Sequence, residues 1–277
     1  MAGGVTALVL AGRRGSAADP LAEATGSRHR ALLPICGVPM LVRVVRALRE
    51  ARSVGQILVS IGEPEALEAE PELAALLAQG ALGVHRSLDS PSRSVLDVLG
   101  GAAGRGPLLV TTADHPLLTG GIVDHVNAAA LRSQADVLVG AVGAELVRAR
   151  YPSSVRTWIR LRDGDWSGAN LFVLRTPEAR RAAEFWVRVE QFRKRPWRLV
   201  GAFGPLTLAL FALRRLDLEA GLARVSRAIG ARVEVVPLPF PEAAIDVDRP
   251  ADLELASRIL RADQAAREAA PPGTAGT

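Results

Sequence analysis

The chain has 277 residues, of which 49% are hydrophobic and only 4% aromatic. That is enough apolar sequence for a packed α/β domain and excludes disorder over most of the length. The formal net charge is +5, but the basic residues are scattered among 29 acidic ones, and no nucleic-acid-binding signature accompanies them. We therefore expect no nucleic-acid partner.

The cysteine content and the apolar runs indicate the cellular compartment of the protein. Cys36 is the single cysteine, so an internal disulfide is excluded, and its apolar neighbours predict a small core residue. No signal peptide is recognisable at the N-terminus. The weakly polar run 199–213 is interrupted by glycine and proline and is shorter than the ~20 residues that span a bilayer. These features predict a cytoplasmic protein.

In the first half of the chain, short β-rich runs alternate with helical patterns. This alternation predicts a three-layer α/β/α fold with a mostly parallel sheet. The predicted strands are Thr6–Leu10, Gln56–Ile61, Pro107–Thr112 and Asp136–Ala141. The predicted helices are Val38–Arg52, Glu65–Gln79, Arg93–Ala103 and Gly121–Ser133.

The pattern changes after about residue 142. A β-hairpin is predicted from an Asp-Gly turn between two apolar runs, and an arginine-rich helical stretch follows it. The predicted elements are the strands Val155–Leu161 and Ala169–Leu174, helical sequence from Pro177 to about Gly230, the strand Arg232–Leu238 and the helix Asp248–Ala262.

We predict one domain over residues 1–265, followed by a disordered tail over 266–277 that is rich in Ala, Gly and Pro. Within the domain, residues 1–142 form the half with the regular strand–helix alternation. Residues 143–240 form an insertion of mixed α and β structure, and 241–265 form a closing motif and helix.

A glycine-bearing loop follows the first predicted strand. It reads Leu10-Ala11-Gly12-Arg13-Arg14-Gly15, and glycines at this point let backbone N–H groups approach a phosphate closely. The two arginines add positive charge suited to a triphosphate. Alone, the pattern predicts a nucleotide-binding loop and an ordinary turn about equally well.

The next segment makes the pattern more specific. Arg30 is followed by a short apolar run and then by Gly37-Val38-Pro39-Met40-Leu41. Together with the glycine loop, this order resembles the nucleotidyltransferase family that includes the molybdenum-cofactor guanylyltransferases, the MobA-like NTP transferases. The resemblance implies a GT-A-like, Rossmann-like fold, with residues 1–142 as the nucleotide-binding half and residues 143–240 as the acceptor-side insertion. Two positions depart from the family pattern, because Arg13 replaces its second glycine and Arg30 replaces its lysine.

Asp114 follows the predicted strand Pro107–Thr112, in Thr112-Ala113-Asp114-His115-Pro116. The carboxyl ends of parallel strands are where open α/β sheets bind ligands, and a proline two residues later forms a turn. In the family this aspartate binds the magnesium that bridges the nucleotide phosphates. The resemblance therefore implies that Asp114 is a metal ligand and Arg30 the cation for the α-phosphate.

A second pair of carboxylates lies near the C-terminus, in Asp246-Val247-Asp248-Arg249-Pro250. It resembles the family's closing Asp-x-Asp-x-Pro-x-Asp-Leu motif, where the chain returns to the metal. We favour Asp248 as the second ligand by its register with the proline and keep Asp246 as the alternative. Only one of the two is expected to face the metal.

Two further residues are candidates by resemblance. Ser94 matches a Ser-Val segment that contacts the base in related cytidylyltransferases, although it is an equally good helix cap. Asn170 matches a Gly-Asn stretch on the acceptor side of several family members. His115 is expected to be a surface imidazole.

The segment 192–213 joins a basic, tryptophan-bearing stretch to an apolar run. A buried helix with a solvated basic edge is the expected arrangement. A peripheral membrane contact, an acceptor-binding insertion and a dimer contact are the alternatives.

These observations predict a nucleotidyltransferase that moves a nucleoside monophosphate from an NTP, preferably CTP or GTP, to a phosphorylated small molecule, with Mg²⁺ or alternatively Mn²⁺ as the cofactor. Two other functions stay open. One is a glycosyltransferase that uses a nucleotide-sugar, since Asp246-Val247-Asp248 is an Asp-x-Asp sequence. The other is a catalytically silent nucleotide-binding protein.

Overall fold

The structure is a computed structural model that describes residues 4–12, 29–190 and 203–269. A mixed, mostly parallel sheet lies between two layers of helices, as the sequence predicts. The strand order is β10-β7-β9-β6-β1-β4-β5, with β8 paired to β9 and a separate hairpin of β2 and β3. Strand β9 is antiparallel to both of its long neighbours, β6 and β7, and the other pairings along this path are parallel.

The strands occupy the short apolar runs. β1 lies in the middle of the sheet, and its residues are buried alternately on the two faces: Ala7 and Val9 pack in one layer and Leu8 in the other. The strands are β1 Val5–Leu10, β2 Pro34–Ile35, β3 Val38–Pro39, β4 Val54–Ile61, β5 Gly83–Arg86, β6 Leu108–Thr112, β7 Val137–Gly143, β8 Ile159–Leu161, β9 Gly164–Leu174 and β10 Val233–Pro237.

The helices cover both faces of the sheet. One layer buries α1, α3 and α5 against it, and the other buries α4, α7 and α9. The helices are α1 Met40–Glu50, α2 Glu65–Glu68, α3 Pro71–Ala78, α4 Pro91–Gly100, α5 Gly120–Arg132, α6 Ala144–Arg150, α7 Arg180–Glu190, α8 Pro205–Ala212, α9 Leu218–Ile229 and α10 Pro250–Ala269.

The turn between β2 and β3 explains where Cys36 lies. Cys36 and Gly37 both have positive φ angles, 48° and 77°, as a two-residue hairpin turn requires. Residues at such a turn project from the sheet, and Cys36 is exposed. The prediction that Cys36 is a core residue is therefore wrong, because the turn geometry overrides the apolar sequence around it.

Several predicted boundaries differ from the structure. The helix predicted over 65–79 is two helices, because Pro71 forces Glu70 into an extended conformation. The strand predicted from Val155 begins only at Ile159, and the residues before it form a loop. Helix α10 continues to Ala269, four residues past the predicted end of the ordered domain.

The arginine-rich stretch after Pro177 contains three separate helices, α7, α8 and α9, within the described residues. The segment 191–202 lies outside them. No residue of α8 is buried, which contradicts the expectation of a buried helix in this part of the chain. Of the helices in the described ranges, none is both long enough and apolar enough to cross a membrane.

Candidate active site

The site lies where the carboxyl ends of three neighbouring strands meet. The backbone N–H of Ala113, just after β6, donates to Leu10 O at 3.0 Å, and that of Ala11 donates to Ser60 O at 2.8 Å. Gly12 follows, and a Cβ added there would stand 3.3 Å from Ser87 Oγ. The start of the glycine loop thus packs closely on the residue after β5. Arg13, Arg14 and Gly15 lie outside the described residues.

Asp114 is carried to this edge by the buried strand β6. Its backbone O accepts a 2.9 Å hydrogen bond from the N–H of Val247, which ties the end of β6 to the closing motif more than 130 positions later in the sequence. The side chain is largely buried. The structure therefore brings Asp114 and the closing motif together, as the family resemblance implies.

In the closing motif, buried apolar residues alternate with acidic ones. Ile245 and Val247 are fully buried, whereas Asp246 and Asp248 are partly exposed. Residues two apart in extended backbone share a side. Asp246 and Asp248 therefore extend from the same side of the motif, and the charges of Asp248 and Asp114 raise the pKa of Asp246. Which of the two carboxylates faces a metal stays a prediction.

Arg30 lies between two of the three carboxylates. Its Nη2 contacts Asp248 Oδ1, lies 3.5 Å from Asp114 Oδ2 and also donates to the backbone O of Val247. The 3-10 turn Arg30–Leu32 that carries it leads into the β2–β3 hairpin. One guanidinium thus holds together an aspartate from β6 and an aspartate from the closing motif.

Asp246 is held by two residues from the acceptor-side insertion. Arg156 Nη1 donates to Asp246 Oδ1 at 2.6 Å, and Asn170 Nδ2 donates to Asp246 Oδ2 at 3.2 Å. Asn170 has a positive φ of 50° and lies where the register of β9 against β7 shifts, which aims its side chain out of the ladder. The predicted acceptor-side residue therefore contacts the closing motif.

Sequence reasoning missed Arg156. This arginine is almost fully buried, and its Nη2 also contacts Asp252 at the start of α10. Asp252 in turn accepts the backbone N–H groups of Asp248 and Arg249, at 3.3 and 3.0 Å. Asp252 is the last aspartate of the closing motif, so its capping role could have been predicted from the sequence. No local pattern around Arg156 indicates its distant partners.

The surroundings of Asp246, which include the carboxylates of Asp114 and Asp248, disfavour its charged form. Burial raises the pKa of Asp246, the neighbouring charges of Asp248 and Asp114 raise it further, and Arg156 opposes the shift. Clusters of acidic groups of this kind are typical of sites that receive a cation. Among the described residues, however, no group of three or more His, Cys, Asp or Glu side chains is arranged to hold a metal ion.

His115, next to Asp114, is buried rather than at the surface, which contradicts the sequence prediction. Neither ring nitrogen has a hydrogen-bond partner among the described residues. Burial lowers the pKa of His115 to about 4, so the imidazole is neutral at physiological pH. It contributes no charge to the neighbouring carboxylate.

Ser94 lies in the first half of α4 and is buried. Its Oγ accepts from Leu88 N at 2.9 Å and donates to Ser90 O at 3.1 Å, while Ser90 is the residue that caps the helix. Both bonds of Ser94 shape the loop after β5. A contact between Ser94 and a nucleotide base stays a prediction.

The fold and the convergence of carboxylates and arginine at the strand ends define a nucleotidyltransferase. Residues 7–228 match the model of the MobA-like NTP transferase domain, and the chain belongs to that family. The match ends before the closing motif. No match was found among curated proteins.

Three solved structures have the same fold. A hypothetical transferase from Thermus thermophilus is 32% identical, with a TM-score of 0.74 over 90% of this chain and 99% of its own. A CMP:2-keto-3-deoxy-manno-octonic acid synthetase complexed with CTP is 16% identical, with a TM-score of 0.56 over 95% and 100% of the two chains. A 4-diphosphocytidyl-2C-methyl-D-erythritol synthase from Anaerococcus prevotii is 11% identical, with a TM-score of 0.54 over 94% and 96%.

Proposed function

We propose that this enzyme transfers a nucleoside monophosphate from an NTP to a phosphate-bearing small molecule and releases pyrophosphate. One observation carries the proposal: Arg30 holds Asp114 and Asp248 together beside the first residues of the glycine loop. Phosphoryl-group transfer needs cations and oriented N–H groups around the α-phosphate more than it needs covalent chemistry. At this edge of the sheet Arg30 is such a cation, and the glycine loop that begins here is the proposed source of the N–H groups.

Asp114 and Asp248 are the proposed ligands of Mg²⁺, or of Mn²⁺, with Asp246 as the alternative. The two carboxylates fit such an ion because both reach a single guanidinium nitrogen, and because Mg²⁺ is usually held by one or two carboxylates plus substrate phosphates. A bound ion would neutralise charge on the phosphates. The arrangement also explains how the protein tolerates this acidic cluster, since Arg30 offsets part of the negative charge of the two aspartates.

The residues around the carboxylates have separate proposed roles in binding the phosphates and the base. Backbone N–H groups of the loop Gly12–Gly15 bind the phosphates, and Arg30 stabilises negative charge on the α-phosphate as the acceptor oxygen attacks. Arg30 offers a planar fork in place of the compact ammonium of the family's lysine, so it can contact two phosphate oxygens at once. Ser94 is the proposed contact to the nucleotide base.

Asn170 is the proposed acceptor-side residue, because it extends from the insertion to Asp246. A structural neighbour that was solved with CTP supports a nucleoside triphosphate as the partner, and CTP and GTP are our preferred substrates. The acceptor is a phosphorylated small molecule, and a cytoplasmic location is consistent with such substrates.

The test is pyrophosphate release by the purified chain with each of the four NTPs and a panel of phosphorylated metabolites, with Mg²⁺ and with EDTA. Asp114→Asn should retain the fold and lose metal-dependent activity, because the change removes a charge but little volume. Asp263→Asn, which alters an exposed aspartate on α10, is the matched control and should behave as wild type.

Other outcomes separate the alternatives. Release of a nucleoside diphosphate from nucleotide-sugars, without pyrophosphate release from any NTP, would establish a glycosyltransferase. Thermal stabilisation by an NTP without turnover would establish a nucleotide-binding protein without activity. Full activity in the Asp114→Asn variant would rule out Asp114 as a metal ligand.

A further inference from the structure

Helix α8 presents an almost entirely apolar surface that is largely exposed. Its eight residues, Pro205–Ala212, include one polar side chain, that of Thr207. None of the eight is fully buried, and only Thr207, Leu208 and Leu210 are partly covered. Leu206 is 63% exposed, Phe211 43% and Leu213, just after the helix, 66%. A helix that is apolar on all sides is normally covered by other protein or by lipid. We call Leu206, Phe211 and Leu213 the α8 surface.

The charged groups next to the α8 surface are positive. Arg214 and Arg215 follow it directly and are exposed, and Arg224 of α9 donates from Nη1 to Thr207 Oγ1 at 3.2 Å. In the ranges that the structure describes, none of these three arginines forms an ion pair. The nearest acidic residue in the sequence, Asp217, caps α9 and pairs with Arg162. The α8 surface therefore combines exposed apolar side chains with unpaired positive charge.

This combination favours an anionic phospholipid surface over a second copy of the chain. In a two-fold dimer through α8, the same patch would face itself, so the arginines beside it would approach one another. An anionic bilayer instead places its phosphates against the arginines and its acyl chains against the leucines and phenylalanine.

We propose that the α8 surface docks on an anionic phospholipid membrane, with the helix lying in the interface. Eight residues of helix extend only about 12 Å, far less than the ~30 Å of a hydrocarbon core, so α8 lies on the membrane rather than crossing it. This proposal does not rest on the nucleotidyl-transfer chemistry, and either can fail without the other.

The test is sedimentation of the full chain with vesicles of phosphatidylcholine alone and of phosphatidylcholine mixed with phosphatidylglycerol. We expect binding only to the mixed vesicles, falling by roughly tenfold or more between low and high salt because salt screens the arginines. The double variant Leu206→Ser/Phe211→Ser should lose at least about tenfold in binding, because its apolar contact with the acyl chains is gone. Its melting temperature should stay that of wild type.

A charge variant and a control complete the experiment. Arg214→Gln/Arg215→Gln should bind less tightly and show a shallower salt dependence. Leu131→Ser/Arg132→Gln, which makes the same kinds of change at the exposed end of α5, should bind as wild type does; Leu131 is 87% exposed.

Three results would overturn the proposal. The first is wild-type protein that ignores the mixed vesicles or binds them regardless of the α8 substitutions. The second is a concentration-dependent dimer in light scattering that the Leu206→Ser/Phe211→Ser variant dissolves, since a second copy would then cover the surface. The third is a large drop in the melting temperature of that variant, which would mean that α8 packs against its own chain.

Discussion

The buried guanidinium of Arg156 should stabilise the closing motif more than any exposed arginine near it. Its side chain is only 4% exposed and bridges Asp246 and Asp252, two carboxylates on either side of the start of α10. Replacing it by methionine retains a stem of similar length and removes the charge. Asp252, equally buried, would then lose a cationic partner that water cannot replace.

The size of the effect follows from these contacts. Removing one partner of a buried ion pair costs about 3–5 kcal/mol. We expect the lower end, about 3 kcal/mol, because Asp252 retains two backbone donors and Asp246 retains Asn170. For a chain of this size that corresponds to a fall of roughly 6–12 °C in the melting temperature.

Arg249→Met is the matched control. Arg249 donates from Nε to the same Asp252 at 3.2 Å, but its side chain is 53% exposed. Exposed pairs contribute at most about 1 kcal/mol, so this variant should melt within about 3 °C of wild type. Arg156→Lys retains the charge but has no fork with which to reach both carboxylates, and it should fall between the two.

Calorimetry tests the loss of stability of Arg156→Met. Steady-state kinetics at temperatures below the melting transition test its loss of activity. If the proposed function is right, Arg156→Met should lower kcat by about 10- to 100-fold. Asp246 would lose a contact that positions it, and Asp252, which accepts the backbone N–H of Asp248, would lose its buried cation. The stability result does not depend on the reaction. If Arg156→Met melts no lower than Arg249→Met, then burial does not strengthen this ion pair and the reasoning is refuted.

Two further predictions test the scaffold. Burial alone would raise the pKa of Asp124, but hydrogen bonds from Ser53 and Arg52 outweigh it and lower that pKa. Asp124→Asn should therefore cost about 1–2 kcal/mol at neutral pH, and in pH-dependent melts the difference from wild type should vanish as the pH falls through the lowered pKa; an equal cost at acidic pH would contradict this. Cys36 should react with a thiol reagent in the native protein as fast as in urea, and Cys36→Asn should not lower the melting temperature, because asparagine tolerates the left-handed turn. A protected thiol would show that the turn is covered.

The fold class and most of the candidate site residues could be predicted from the sequence alone. Alternating short apolar runs and helical patterns suffice for a mostly parallel sheet, because local preferences and burial agree in its central strands. Asp114 could be placed at a strand end from its neighbours in the chain, and the closing motif could be recognised because its aspartates and proline lie within a few residues of one another.

Which of the site's side chains contact one another could be seen only in the tertiary structure. Arg156 lies in a loop with no regular pattern, and its partners lie about 90 positions further along the chain. His115 looks like a surface residue in the sequence but is buried, and α8 looks like a core helix but is exposed. Local sequence indicates the conformational preference of a few residues. Burial and ion pairing instead depend on which distant elements pack against a residue, and those contacts form only when the layers assemble.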